Sequence, residues 1–268
     1  MNPVSVFTKN NISVFGNLQS ERTLIFAHGF GSDQSCWRWV LPGFLKDFKI
    51  VLYDNVGSTE QNAFYYDPDK YKSLEDYADD LIALCHELNI KQAIMVAHSV
   101  SGMITLLALE KDPELFSKAF FIGASPRYLN DKNYIGGFER EDLLALYKEM
   151  QSNFIHWVHG FAPVIIGNED KPELAAEFSR TLSKIRPDIA VDVARVIFES
   201  DFRHRLTKLN IPVIIIQSHN DVTVPLEVGE YLLTHIYRSK LFIIDAKGHF
   251  PQLSAPREII NTIITNLN

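Results

Sequence analysis

Six short runs of apolar and β-branched residues punctuate the chain, at 23–27 (TLIFA), 48–53 (FKIVLY), 93–97 (AIMVA), 118–122 (KAFFI), 212–217 (PVIIIQ) and 240–244 (KLFII). They are continuous rather than alternating, which predicts strands buried on both faces, as in a mostly parallel sheet. A different rhythm lies between the second and third. Leu74, Tyr77, Ala78, Leu81, Ile82, Cys85 and Leu88 recur at helical spacing and lay one apolar stripe along a helix, with Ser73 placed as its N-cap. Such strand–helix–strand alternation predicts an α/β fold with helices on both faces of the sheet. Between about Arg127 and Arg205 the strands vanish. Helical patterns then cover 139–150, 152–161, 171–184 and 188–199, with Pro163, Pro172 and Pro187 between them. This stretch reads either as an inserted lid of four helices or as an ordinary α-rich layer of the core. Its place far from both termini favours a lid at 127–205 set into a core formed by 1–126 and 206–268.

Composition narrows the function classes. Of 268 residues, 46% are hydrophobic, enough to bury a large core, so a disordered chain is excluded. Acidic residues outnumber basic ones 33 to 26, and no Lys/Arg cluster exceeds a pair, which argues against a nucleic-acid partner. Cys36 and Cys85 lack metal-ligand spacing and build no disulfide framework, in keeping with a reduced, cytoplasmic setting. The opening MNPVSVFTKNN has no basic or long apolar region of a secretory signal, and no apolar window approaches roughly eighteen residues. No membrane span, metal or cofactor is expected. With no heptad seam, a monomer is expected as well.

The most informative segment is Val96-Ala97-His98-Ser99-Val100-Ser101-Gly102, which leaves a buried run and enters the apolar helical stretch MITLLALE. A serine at that junction sits on a sharp strand–turn–helix corner that pushes its hydroxyl above the sheet edge. The usual pattern is Gly-x-Ser-x-Gly; here Ala97 and Ser101 fill the small positions, and a plain serine-containing turn is the bland alternative. A serine nucleophile needs a base and an acid to orient that base. Asp221 follows the 212–217 run and His249 follows the 240–244 run, so both emerge on the sheet edge that carries Ser99, in the order Ser, Asp, His. Rivals fit less well. Asp245 reads as a turn residue, Asp201 lies on the wrong element, and His98 and His219 read as wall and surface residues. His86, His156, His159, His204 and His235 fall in helical patterns. Ala27-His28-Gly29-Phe30-Gly31-Ser32 follows the first run, and its glycines allow the Phe30 amide to join that of Val100 as a two-donor oxyanion hole. His28 reads as a residue that holds this loop.

Taken with Trp37, the runs Tyr53-Asp54-Asn55-Val56-Gly57-Ser58, Ser125-Pro126-Arg127-Tyr128-Leu129-Asn130-Asp131 and Tyr134-Ile135-Gly136-Gly137-Phe138 complete a pattern that resembles the α/β-hydrolase superfamily over nearly the full length. Within it the chain resembles the RsbQ-like bacterial stress-regulator hydrolases, which are close to the plant karrikin and strigolactone receptors. Glycine is usual in that family where Ala97 stands. The resemblance implies an α/β-hydrolase core with a four-helix lid shaped as two V-like hairpins, a small hydrophobic pocket, the triad Ser99, Asp221 and His249, and oxyanion donors Phe30 and Val100. It also implies Phe138, Trp157, Phe161 and Phe198 as substrate-binding residues, and a PAS-domain phosphatase or similar regulatory protein as a partner. No Lys or Arg is evident as an anchor for an anionic substrate, which favours a small neutral hydrophobic ester or a butenolide-like lactone. Three expectations follow: a serine hydrolase serving signal perception, a metabolic carboxylesterase or lactonase without a partner, and a ligand-gated interaction protein with vestigial hydrolysis.

Overall fold

The computed structural model describes residues 5–267. The first four residues, part of the segment read above as lacking a secretory signal, lie outside the described residues. In chain order the elements are α1 (Val6–Lys9), β1 (Ser13–Gly16), β2 (Thr23–Ala27), β3 (Lys49–Tyr53), α2 (Leu74–Glu87), β4 (Ala93–His98), α3 (Ser101–Lys111) and β5 (Phe116–Ile122). There follow α4 (Arg140–Ser152), α5 (Phe154–Ile166), α6 (Pro172–Leu182), α7 (Pro187–Phe198), β6 (Val213–Asn220), α8 (Leu226–His235), β7 (Ser239–Lys247), α9 (Pro251–Ser254) and α10 (Pro256–Thr265).

Seven strands form one sheet in the order β1-β3-β2-β4-β5-β6-β7, parallel except for β1, which pairs antiparallel with β3. The continuous apolar runs account for the central strands: every residue of β2 and β4 is buried, because helices cover both sheet faces. The chain leaves β2 toward β3 on one side and returns to β4 on the other. The carboxyl ends of β2 and β4 therefore flank the point where strand order reverses, the place where such sheets hold ligands.

Two strands depart from the sequence pattern. β1 has no apolar run; three of its residues are only partly buried along the sheet edge and Gly16 is exposed. β7 was expected to be buried on both faces, but it is the opposite edge strand, and Lys240, Ile243, Asp245 and Lys247 are exposed along it. With a strand neighbour on one side only, its apolar run is half wetted.

The stripe on α2 buries Leu74, Tyr77, Ala78, Leu81, Leu84 and Cys85, each large side chain contributing about 1.5–3 kcal/mol of transfer free energy. Ile82 and Leu88 lie at the margin of that face. Ser73 caps the helix by accepting from the Glu75 amide at 3.2 Å. α2 packs against α3, and both α3 and α8 meet the 3₁₀ turn Arg203–Lys208.

Helices α4 to α7 all lie between β5 and β6. α4 packs on α7 and α5, and α5 packs on α6. The ends of this insertion are clasped together: Arg127 and Asp201 form an antiparallel bridge and an ion pair of 2.9 Å, and Arg203 reaches Asp201 at 2.7 Å and Asp131 at 2.8 Å. Pro172 and Pro187 open α6 and α7 at the first helical turn, where a missing N–H costs nothing. Pro163 was expected to separate helices and instead sits inside α5, which runs on to Ile166 before Gly167 ends it in the left-handed conformation.

At the end of β4, His98 is wholly buried, and its Nε2–H donates to the His249 carbonyl at 2.7 Å. Burial, ahead of the neighbouring His249, holds its pKa well below the ordinary 6.5. The unfolded chain thus takes up a proton below about pH 6.5 that the native chain refuses, so stability falls as the pH drops through that value. Urea unfolding between pH 7.5 and 5.0 should give wild type an acid loss steeper than that of His98→Gln by about 1 kcal/mol per pH unit at the acid end. Equal slopes would show that His98 carries no such penalty.

Candidate active site

Ser99 stands on the turn between β4 and α3 with φ of 56°, a left-handed conformation that a non-glycine residue adopts at some cost in strain. Its Oγ lies 2.8 Å from His249 Nε2, and His249 Nδ1 lies 2.8 Å from Asp221 Oδ2. The other carboxylate oxygen of Asp221 accepts from the amides of Thr223 and Val224 at 2.8 and 3.0 Å, which fixes the carboxylate plane. Nδ1–H therefore points at the carboxylate, and Nε2 is left to accept the Ser99 proton. All three residues are at least nine-tenths buried.

The loop after β2 presses directly on this corner. A Cβ on Gly29 would stand 2.7 Å from the His98 ring and 3.0 Å from Ser99 Cβ, so only glycine allows the approach. Ser101 Oγ donates to the His28 carbonyl at 2.5 Å. The serine at this small position of the elbow is thus a tie to the neighbouring loop, which glycine could not make. His28 holds the loop as expected: Nδ1–H donates to the Gly29 carbonyl at 2.9 Å, and Nε2 accepts from the Asn55 amide at 3.0 Å. Beyond it, Asp54 accepts from the Gln34 amide at 2.8 Å and from Asn11 at 2.7 Å. Among the described residues, the amides of Phe30 and Val100 donate no hydrogen bond within the chain. Two donors on adjoining loops beside Ser99 are suited to a developing oxyanion.

A cavity of about 330 Å³ of atom-free space opens above the triad, lined by Phe30, Tyr128, Phe161, Phe178, Phe198 and Phe250 among others. Of the four side chains expected there, Phe161 and Phe198 line it. Phe138 and Trp157 do not: each lies one ring behind, Phe138 against Phe198 at 5.4 Å between centroids and Trp157 stacked on Phe161 at 4.7 Å. Trp157 also lines an outer groove between α4 and α5. The helical period fixes which faces of a helix differ, and only tertiary packing decides which face meets the cavity.

Sequence reasoning missed Tyr128, whose hydroxyl lies 3.2 Å from Ser99 Oγ. Burial first of all pushes its pKa up, so it stays a phenol and can donate. It also missed Thr223, which lines the cavity with a buried hydroxyl that has no partner among the described residues. Tyr128 belonged to the SPRYLND run; nothing but that resemblance marked it.

The rivals are occupied elsewhere. Asp245 and His219 are exposed on β7 and β6, and Asp201 serves the clasp. His86 pairs with Asp112, His159 with Ser179, and His235 stacks on Tyr231. His156 caps nothing in the cavity and lies exposed on α5, and His204 sits in the turn Arg203–Lys208. Cys36 and Cys85 are both buried as free thiols. Among the described residues, no group of three or more His, Cys, Asp and Glu side chains is arranged to hold a metal, and no helix is long and apolar enough to cross a membrane.

Residues 24–262 match the model of the alpha/beta hydrolase family. The Karrikin insensitive 2 receptor CA of Petunia hybrida is 43% identical over 260 residues, covering 97% of this chain and 96% of the relative. The strigolactone esterase D14 of Arabidopsis thaliana is 44% identical over 250 residues, 93% of this chain and 92% of the relative. Among solved structures, the hydrolase olei00960 from Oleispira antarctica superposes with a TM-score of 0.93 at 34% identity, covering 97% of this chain and 95% of that one. The chain therefore belongs to the α/β-hydrolase family, with plant karrikin-receptor and strigolactone-esterase proteins among its relatives.

Proposed function

We propose that the protein is a serine hydrolase of a small, neutral, hydrophobic ester or butenolide-like lactone. The observation that carries this reading is the pair of 2.8 Å hydrogen bonds linking Ser99, His249 and Asp221 beneath an aromatic cavity. Apart from the triad, the cavity offers hydroxyls, those of Tyr128 and Thr223, and no ionic side chain to anchor a charged substrate. Helices α4 to α7 serve as its lid.

In the first half-reaction Ser99 Oγ forms a bond to the substrate carbonyl carbon while its proton passes to His249 Nε2. Asp221 holds the ring in the correct tautomer and stabilises the imidazolium. The Phe30 and Val100 amides receive the oxyanion, each worth roughly 3–4 kcal/mol by comparison with other oxyanion holes. The C–O bond then breaks, and the departing oxygen takes the proton from His249. In the second half, water gives a proton to His249 and its oxygen to the acyl carbon, and Ser99 is released with its proton restored. Tyr128 donates to Oγ in the resting state and steadies the attacking oxygen.

The purpose we assign is ligand perception, in keeping with relatives named as receptors. A phosphatase with a PAS sensor domain, or another regulatory protein, and a stress-regulatory pathway are the proposed context, resting on the resemblance to the bacterial regulators. The protein would act as a cytoplasmic monomer. A metabolic esterase would differ by rapid steady turnover.

Rapid mixing with p-nitrophenyl acetate should give a burst of one product per enzyme followed by slow turnover, and Ser99→Ala should abolish both phases. Turnover surviving in Ser99→Ala would sink the nucleophile assignment. Tyr128→Phe should slow the burst by roughly threefold to tenfold, the worth of one hydrogen bond, while its amplitude stays at one per enzyme. An unchanged burst rate would leave Tyr128 as a wall residue.

A further inference from the structure

Behind the Phe30 loop lies a second hollow, partly open to solvent, between that loop and helices α2, α3 and α7. Its walls include Leu74, Tyr77, Ile104, Ile185, Ala190 and Val193, and no Asp, Glu, Lys or Arg. Of the polar groups along it, those of His28, Asn55 and Ser58 are hydrogen-bonded to one another, and the buried Tyr77 hydroxyl has no partner among the described residues. Phe30 and Ile197 line this void and the cavity above Ser99 alike, so two apolar side chains form the wall between them. Phe30 is half-buried, with its ring edge-on to Phe198 at 6.3 Å between centroids. Rotation of that ring needs no hydrogen bond to break. The two hollows adjoin, and removing or turning aside the Phe30 and Ile197 side chains would join them.

We propose that this chamber is a subsite for the apolar acyl arm of the ester, reached past the side chains of Phe30 and Ile197. The proposal rests on the serine-hydrolase reading above. The chemistry selects the acyl arm because an ester's alcohol leaves first, or in a lactone becomes a hydroxyl on the opened acyl chain, whereas the acyl group stays on Ser99 until water arrives. A chamber behind a two-residue wall suits the arm that remains. The expected substrate is a neutral ester or lactone with an apolar chain or ring on the acyl side.

The test compares p-nitrophenyl acetate with p-nitrophenyl hexanoate on wild type, Val193→Phe and Ala190→Leu. Both substitutions fill the chamber from α7 and touch none of the cavity above Ser99. Filling should leave kcat/KM for acetate within twofold and lower that for hexanoate at least tenfold, and Phe30→Ala should raise the hexanoate-to-acetate ratio. A ratio unchanged in both filling variants, or equal losses on both esters, would overturn the subsite. Binding of the neutral fluorophore N-phenyl-1-naphthylamine separates this from failure of the hydrolase reading. It should bind Ser99→Ala at least tenfold more tightly than Ser99→Ala carrying Val193→Phe. Equal affinities would remove the chamber as a binding site whatever the fate of the nucleophile.

Discussion

The amide of His249 donates to the carbonyl of Ile165 at 2.9 Å, and its own carbonyl accepts from His98 at 2.7 Å. Through these two bonds His249 is held by its main chain before its side chain meets any partner. The first bond has a simple cause. The last carbonyls of a helix have no partner within it, and α5 ends at Ile166 with those groups facing the 247–249 loop. The His249 amide satisfies one, and Asn168 Nδ2 donates both to the Ile166 carbonyl at 2.5 Å and to the Lys247 carbonyl at 2.9 Å. Gly248 makes the contact possible, since a Cβ there would collide with the Ile166 carbonyl oxygen. The geometry of Ser99, His249 and Asp221 thus depends on both the sheet and the helical insertion.

The opposite flank of the site is built from the sheet alone. Ser99 and the Phe30 loop leave adjacent parallel strands, and the register Ala27↔Ala97 puts their departure points side by side. Ser101 and Gly29 then close the gap between loop and elbow, one through a hydroxyl and the other through the lack of a side chain. Ser99 and the Phe30 loop are set by strand pairing, which is stiff, and His249 by a loop–helix contact, which is softer.

Much of this was legible in the sequence. TLIFA matches β2 residue for residue, and Ser99, Asp221 and His249, which the structure brings together, could be singled out because each follows an apolar run. Legibility failed where the physics is not local. β1 is too short to announce itself, and it pairs along the open edge of β3. The run in β7 could not reveal that the strand would lie at an edge, because edge position belongs to the sheet and not to the strand. Trp157 and Phe161 are four apart on one helix and stack on one another, yet only Phe161 reaches the cavity. Tyr128 approaches Ser99 from a loop with no period to read.

The shared bond between His249 and α5 ties two processes into one coordinate. Withdrawal of α5 strands the Ile165 carbonyl and frees the His249 main chain in the same step. Whatever coupling free energy that bond carries between alignment of His249 and docking of α5 is the same read from either side. A single peptide group thus joins α5 to the residue whose ring meets Ser99.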